Sequence, residues 1–552
     1  MLSPSGQQGR IGDNDLAADR SRNVRICIIG AGAAGISLAC ELDGCGFDVL
    51  LIEAGGAANR VGDFYEGSAT PPHPEPRQFR RVGFGGTTAV WGGRCVPFDP
   101  IDFERRDYVA NTGWPITYEE VARFYPAAME YCDAGRLDFL TRTSLPGAGA
   151  IIRGFEGDEV VDAGHIERYS LPTDFGRRYR HRLHKSANVT VLLGLRCLKL
   201  SRVAGEDRLE SAQFIDQSGR LHTVRAAVFV LATGGIEVPR LLLASDSLGD
   251  GFGNLGDCLG RFYMCHFENT CGRIVPRKQP VAFHFERTSD GIYCRRQMRF
   301  TPAAQRAHHL LNTVFRLHFP SYSDASHGSS VMSAIYLAKS SLLQEYRSIL
   351  QQQTHAMASP LSQHVGNVLR DLPGLARFAG EWLFRMRLAR RKLPYTLVPN
   401  ADGSFPLEFN AEQTPDPTNR ITLREDRDRH GMPRVHIAWR VGEQDAQAVL
   451  RAFQLLRESL EHSGAAQLLL DDERLAAQIA RSIPLGHHMG TARMAASPRG
   501  GVVDGDCAVF GLPNLYVASS AVFPTCSHAN PTLTIVALAM RLAQHLRSRF
   551  EA

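Results

Sequence analysis

Two adjacent histidines, His487 and His488, stand just ahead of a glycine in the stretch LGHHMGTARM, residues 485–494. A glycine turn there lets an imidazole project into a pocket. Neutral imidazole, with an ordinary pKa near 6.5, can take the proton of a hydroxyl while hydride leaves the adjoining carbon. Further on, Asn530-Pro531 reads as a helix N-cap followed by proline at the first helical position. The helix behind it, TLTIVALAMRLAQHL, is apolar nearly all round, so it must be buried and its free N–H groups need a partner. At the other end of the chain, Gly30, Gly32 and Gly35 form G-x-G-x-x-G. Gly30 permits the tight turn, Gly32 lets backbone N–H groups approach a pyrophosphate, and Gly35 allows close helix packing. The positive end of the following helix faces the phosphates, and Glu53 is placed to accept hydrogen bonds from a ribose.

These residues need elements to hold them. Ile26, Ile28 and Ile29 predict a buried strand, Ala34, Ile36, Leu38, Ala39 and Leu42 a helix, and Val49–Ile52 a second strand, which together make a βαβ dinucleotide unit. The loop RVGFGGTTAVWGGRC, residues 81–95, is too glycine-rich for regular structure; its backbone can lie flat against a planar group, with Thr87 and Thr88 as donors. Thr117 and Glu120 predict a capping box for a helix through Cys132. Residues 189–202 predict a strand, followed by a hairpin turning at Gly219, and 226–235 a buried strand running into a glycine turn and helix. From 271 to 480 the alternating runs VAFHFER and GIYCRRQMRF predict an antiparallel sheet. A strand pair turning at His430-Gly431 and a helix with Val449, Leu450, Phe453, Leu456 and Leu460 on one face follow. The segment 374–394 carries Arg377, Arg385, Arg387, Arg390, Arg391 and Lys392 among large apolar residues. It reads as a surface helix with a solvated basic face in preference to one lying on an anionic membrane or over the mouth of a site.

With 552 residues, two domains are expected. A formal charge of +5 over that length gives no warrant for a nucleic-acid partner. None of the twelve cysteines forms a C-x-x-C pair or a zinc-like cluster, so no metal is expected. They read as reduced, structural thiols in a cytoplasmic protein. Residues 1–23 are polar and expected to be a disordered tail, with no apolar leader and no stretch of membrane-spanning length anywhere.

GAGAAG with Glu53, GFGGTTAVWGGR, HHMGTARM, GVVDGDCAVFGLPNLYVASSAVFP and HANPTLT, in this order, resemble the glucose–methanol–choline (GMC) family of FAD-dependent oxidoreductases. The C-terminal block is most similar to the branch of pyranose oxidases and bacterial sugar or alcohol dehydrogenases. The likeness is strong over 24–110 and 480–548 and weak between 270 and 410. It implies an α/β FAD-binding domain (glutathione-reductase-like, parallel sheet) joined to an α+β substrate domain with an antiparallel sheet. FAD-binding segments are expected at 24–110, 189–270 and 481–552, and substrate segments at 111–188 and 271–480. The resemblance implies His487 as catalytic base, Asn530 as its partner near flavin N5, His488 behind them, and His528 as a further pocket candidate. It assigns Gly30, Gly32, Ala33, Ala34, Gly35 and Glu53 to the ADP half, and Gly85, Thr87, Thr88, Trp91 and Gly92 to the neighbourhood of the isoalloxazine. Cys197 and Thr233 fall on the adenine side, and Ser520, Asn530, Pro531 and Thr532 at the pyrimidine edge. Val90 stands where some members attach FAD through histidine, so FAD is expected to be non-covalent. Ser519 replaces an acid that many members carry.

The expected reaction is oxidation of a CH–OH group of an alcohol, on a sugar or polyol-like substrate, by proton abstraction at His487 and hydride transfer to the flavin. The electron acceptor, whether oxygen, a quinone or another, is left open. An NAD(P)H-using flavin monooxygenase or reductase is the alternative, against which stands the lack of a second G-x-G-x-x-G. A non-catalytic flavoprotein is disfavoured by the presence of both His487 and Asn530.

Overall fold

A nine-stranded, largely parallel sheet forms around two neighbouring strands, Ser21–Ile29 and Leu221–Leu231, in the computed structural model, which describes residues 11–13, 21–58, 67–245, 252–338, 359–484 and 486–551. Phe229 pairs with Cys27 on one side and with Leu515 of the strand Leu512–Val517 on the other. The first hundred residues and the last fifty or so thus meet on one central strand. On the far side, Val49–Glu53 and Val189–Leu193 extend the sheet in parallel. The strand cores are buried on both faces, which is why they read as continuous apolar runs.

The turn from Ser21–Ile29 into the helix Ala33–Glu41 closes tightly. A Cβ on Gly35 would lie 1.9 Å from the Gly30 carbonyl oxygen, and Gly30 itself holds φ +106° against Ala232. The C-terminal helix Thr532–Glu551 packs on Ala33–Glu41 and on Tyr125–Cys132, burying Leu533, Val536, Ala537, Met540 and Leu546.

A second nine-stranded sheet is antiparallel and two-faced. Along Phe267–Pro276, Thr313–Leu317 and Phe405–Ala411, the residues Phe267, Phe315, Leu317, Leu407 and Phe409 face one core. There they meet Phe453, Leu456 and Leu460 of the helix Glu443–Ser463. The alternate positions (Glu268, Arg316, Glu408 and, beyond the strand end, His318) are charged or polar and belong to the opposite face. A small third sheet joins the hairpin Arg420–Arg427/Pro433–Ala438, turning at Gly431, to Gly67–Ala69.

Several expectations are corrected. The stretch 189–202 is two strands: Gly194, at φ +76°, ends Val189–Leu193, and Arg196–Arg202 turns into an antiparallel ribbon with Leu209–Ile215. Thr117 and Glu120 do form the capping box, but the helix breaks into Tyr118–Ala122 and Tyr125–Cys132. Pro126 lacks the N–H that an unbroken helix would require. Within the expected tail, residues 1–10 and 14–20 lie outside the described residues, whereas Ile11–Asp13 adds an edge strand beside Val189–Leu193. Arg94–Cys95, expected with the first cofactor segment, pairs instead with Val161–Tyr169 in the antiparallel sheet.

The Gly35 contact gives the first prediction. Gly35→Ala forces a methyl into the Gly30 carbonyl, and overpacking of this kind costs about 1–3 kcal/mol. Chemical denaturation should show a lowered midpoint with an unchanged slope.

Candidate active site

Between the two sheets runs a cavity of about 1340 Å³. That exceeds the volume of an ordinary small-ligand pocket and leaves room for a dinucleotide together with a substrate. His487 and Asn530 both reach its wall. The segment carrying the histidines is pinned from both sides: Met489 exchanges backbone hydrogen bonds with Met264, while Gly490, Ala492 and Met494 donate to the carbonyls of Ser520, Ala521 and Val522. Beneath it, Gly235 has no room for a side chain, since a Cβ would meet the His488 carbonyl oxygen at 2.1 Å.

The hydrogen bonds fix the tautomer of His487. His266 Nε2 lies 2.9 Å from the Cys526 carbonyl, which can only accept, so Nε2 carries the proton. His266 is fully buried with no acid beside it, and burial lowers its pKa to about 3, so its Nδ1 is a bare lone pair. His487 Nδ1, 2.9 Å away, must therefore donate to it. That leaves His487 Nε2 unprotonated, facing Asn530 Nδ2 at 3.2 Å. The amide orientation is fixed in turn because Arg94 donates to Asn530 Oδ1. Arg94 is itself 3.6 Å from Glu167. Burial first, then the neighbouring His266 ring and the Arg94 guanidinium, hold the pKa of His487 well below the ordinary imidazole value.

His488 is held by a parallel chain. His73 Nδ1 donates to the Pro74 carbonyl at 2.6 Å, Tyr263 donates to His73 Nε2 at 2.8 Å, and His488 Nδ1 donates to the Tyr263 oxygen at 2.6 Å. His488 Nε2 is then a buried lone pair with no partner among the described residues. Cys265 Sγ also approaches the Tyr263 hydroxyl, at 3.1 Å. His73, Cys265 and His488 thus converge, but on the hydroxyl of Tyr263.

Of the residues expected at the cofactor, Gly30, Gly32, Ala33, Ala34, Glu53, Thr87, Thr88, Trp91, Gly92, Cys197, Thr233, Ser520, Asn530, Pro531 and Thr532 line the cavity. Gly35 and Gly85 do not. Gly35 serves the turn, and Gly85, at φ +102°, lies where a Cβ would meet the Gly176 nitrogen at 2.6 Å. Thr88 is not a free donor, because its hydroxyl donates to the Gly85 carbonyl at 2.6 Å and accepts from Phe175 N–H. Ser520 donates to the His488 carbonyl. Asn530 turns its carboxamide to Arg94 and His487, not to the helix it was expected to cap. His528 is buried away from the cavity, 3.7 Å from the Asp99 carboxylate. Glu53 accepts from the N–H groups of Ala31, Gly55 and Gly83, which ties the nucleotide turn to the glycine-rich loop. Burial nonetheless holds its carboxyl above the usual carboxylate range.

Sequence reasoning missed His266, Arg94, Tyr263 and His73. Only His266 left a signal: it sits two residues before Glu268, on the alternation that places polar side chains on the cavity side of the antiparallel sheet.

A family model for GMC oxidoreductases matches residues 415–539. Over that stretch the chain is similar to GMC oxidoreductases. It is 23% identical to a 2-methyl-1,2-propanediol dehydrogenase of Mycolicibacterium austroafricanum over 95% of both chains. To a paromamine 6'-oxidase of Streptomyces fradiae it is likewise 23% identical, over 95% of this chain and 92% of that one. A C-glycoside 3-oxidase of Microbacterium trichothecenolyticum is 34% identical over 128 residues, 23% of this chain and 24% of the relative. The fold is shared with pyridoxine 4-oxidase from Mesorbium loti (TM-score 0.53, 18% identity, covering 95% and 99% of the two chains) and with formate oxidase (TM-score 0.56, 13% identity, covering 96% and 99%).

GMC oxidoreductases bind FAD, and the residues here fit it. At Gly32, the N-cap of Ala33–Glu41, a Cβ would meet nothing within 4 Å, and no side chain caps that helix. Its first N–H groups therefore open onto space a pyrophosphate can take. Thr233 Oγ1 is buried without a partner on the same cavity. Filling the cradle separates cofactor binding from folding. Gly32→Leu should leave the melting temperature of the apoprotein within ~2 °C while FAD occupancy, read from absorbance of the purified protein, falls about tenfold or more.

Proposed function

We propose that the chain is a GMC oxidoreductase that oxidises a CH–OH group of a sugar or polyol-like alcohol, with His487 as the base and FAD held without a covalent bond. The observation that carries the reading is the His487–Asn530 contact on the cavity wall, with His487 Nε2 left as a lone pair. FAD, when bound, supplies the hydride acceptor.

His487 Nε2 accepts the hydroxyl proton, and its Nδ1–H stays hydrogen-bonded to His266 throughout. Asn530 has two amide hydrogens. One meets His487, and the other is placed to hold the substrate oxygen and fix the carbon for hydride transfer. Arg94 keeps that amide from flipping.

The polar face of the antiparallel sheet supports a polyhydroxylated substrate. Glu268, Glu408, His318, Tyr395, Tyr169 and Arg94 line the cavity. Behind them Arg316 pairs with Glu408 at 2.7 Å and with Glu167 at 3.0 Å, and Arg295 donates to Tyr395 at 2.8 Å. Glu268 has its nearest cation, Arg316, at 3.9 Å, and burial raises its pKa to about 7. Such a wall offers hydroxyl groups both donors and acceptors, and it would reject a long alkyl chain.

His487→Ala should lower kcat about 10²–10⁴-fold in a flavin-bleaching assay under exclusion of oxygen, with bound-flavin absorbance retained. His266→Leu should also lower kcat, and His266→Asn, which keeps an acceptor near the place of Nδ1, should restore part of it. The pH profile follows from the neutral imidazole. Acid removes the lone pair, and the pKa of His487 lies well below 6.5, so kcat/KM should hold its plateau down to pH 6.5 and fall only below it.

A further inference from the structure

The helix Leu361–Arg370 is inside out. Its inward side is polar: His364 is fully buried, with Nδ1 3.1 Å from Ser333 Oγ and Nε2 3.3 Å from the Ser323 carbonyl. Asn367, also buried, donates to the Ala325 carbonyl at 2.8 Å. Its outward side carries Leu361, Val365 and Leu369, and Leu372 continues the stripe into the helix Leu372–Glu381. Leu383, Phe384 and Leu388 extend it through the π-helical turn Trp382–Arg387 and just past it. Leu369, Phe384 and Leu388 are each 66% exposed, and this one segment holds seven of the eleven large apolar side chains that are exposed among the described residues. Ordinary surface helices do the reverse. An exposed apolar patch of this kind marks an interaction surface.

Charge says which partner. Residues 359–394 contain seven Arg and Lys against two acids, so the stretch alone accounts for the formal net charge of +5 of the whole chain. Arg370, Arg377, Arg385, Arg387 and Arg390 are exposed around the apolar stripe. A symmetric contact with a second copy would bring two such basic rims together, which opposes self-association. An anionic bilayer meets both features at once, taking the apolar side chains below its headgroups and pairing the arginines with phosphate.

We propose that Leu361–Leu388 seats the enzyme on an anionic membrane surface, with the mouth of the cavity turned toward the lipid. The same segment reaches the cavity, since Met386 and, just past the segment, Lys392 and Leu393 line it. The association is peripheral, because no helix among the described residues is long and apolar enough to cross a membrane. Within 374–394 the expected basic face is exposed at Arg377, Arg385, Arg387 and Arg390, while Phe378 and Met386 are buried. The membrane reading is added by the apolar side chains exposed beside those arginines and on the preceding helix.

Flotation of the full-length holoprotein with vesicles tests this. The protein should float with phosphatidylcholine vesicles containing roughly one-third phosphatidylglycerol, and several-fold less with phosphatidylcholine alone. Leu369→Glu combined with Phe384→Glu should cut the bound fraction about tenfold, while Leu255→Glu, at an exposed leucine elsewhere, should not. Arg377→Gln combined with Arg385→Gln should weaken binding to anionic vesicles only. Bound-flavin absorbance and melting temperature, unchanged in every variant, show that the fold is intact. The proposal falls if the wild-type protein floats with neither vesicle or if the Leu369/Phe384 variant floats equally well. It also falls if light scattering finds a dimer that this variant dissolves, which would make the patch a contact between copies.

Discussion

Everything at the site depends on the pairing of Leu221–Leu231 with strands drawn from opposite ends of the chain. Ser21–Ile29 on one flank delivers the nucleotide turn, and Leu512–Val517 on the other delivers Ser519, Ser520 and, further along, Asn530. The central strand leads through Thr233 to Gly235, which lies beneath His488. The proposed cofactor cradle, His487 and the Asn530 carboxamide therefore share one rigid sheet, all at the carboxyl ends of parallel strands, where open α/β sheets place their ligands. Packing of Thr532–Glu551 against Ala33–Glu41 locks the arrangement from behind.

The second sheet contributes in a different way. Its apolar face is an ordinary core, but its other face buries Arg94, Arg295 and Arg316 with Glu167 and Glu408. Buried ion pairs are poor investments for stability, since desolvation offsets most of the attraction. A wall this polar is better understood through what it presents to the cavity. The network orients Tyr395 and Glu408 and leaves Glu268 as the carboxylate least engaged by cations, on the same strand face as His266.

Much of this was legible in the amino-acid sequence, for identifiable reasons. The βαβ unit announces itself because glycine spacing, apolar runs and Glu53 all answer to one local geometry. His487 and Asn530 were legible from the turn, the helix start and the family likeness. Contacts between distant segments were not. Arg94 lies in a glycine-rich loop that gave no hint it would reach Asn530, and His73, in a proline-rich loop, finds Tyr263 only in the folded chain. Thr88, on the cavity wall, was expected as a free donor because loop composition cannot tell a side chain facing a ligand from one closing its own turn. Composition singled out 374–394, where Phe378 and Met386 turn inward and the arginines outward. It gave no sign of the preceding helix Leu361–Arg370, whose His364 and Asn367 find hydrogen-bond partners inside and leave its leucines exposed.

The glycine beneath His488 has a consequence for how such an enzyme can diversify. A methyl at Gly235 would strike the peptide that carries both imidazoles, so the placement of the proposed base is set by a helix that belongs to the cofactor sheet. The polar residues proposed to face the alcohol, such as Glu268, Glu408 and His318, belong to the other sheet, and they can be exchanged without moving that peptide. Selection for a new alcohol can therefore rewrite one wall of the chamber while the proton-accepting nitrogen keeps its position, which separates the freedom to change substrate from the obligation to preserve chemistry.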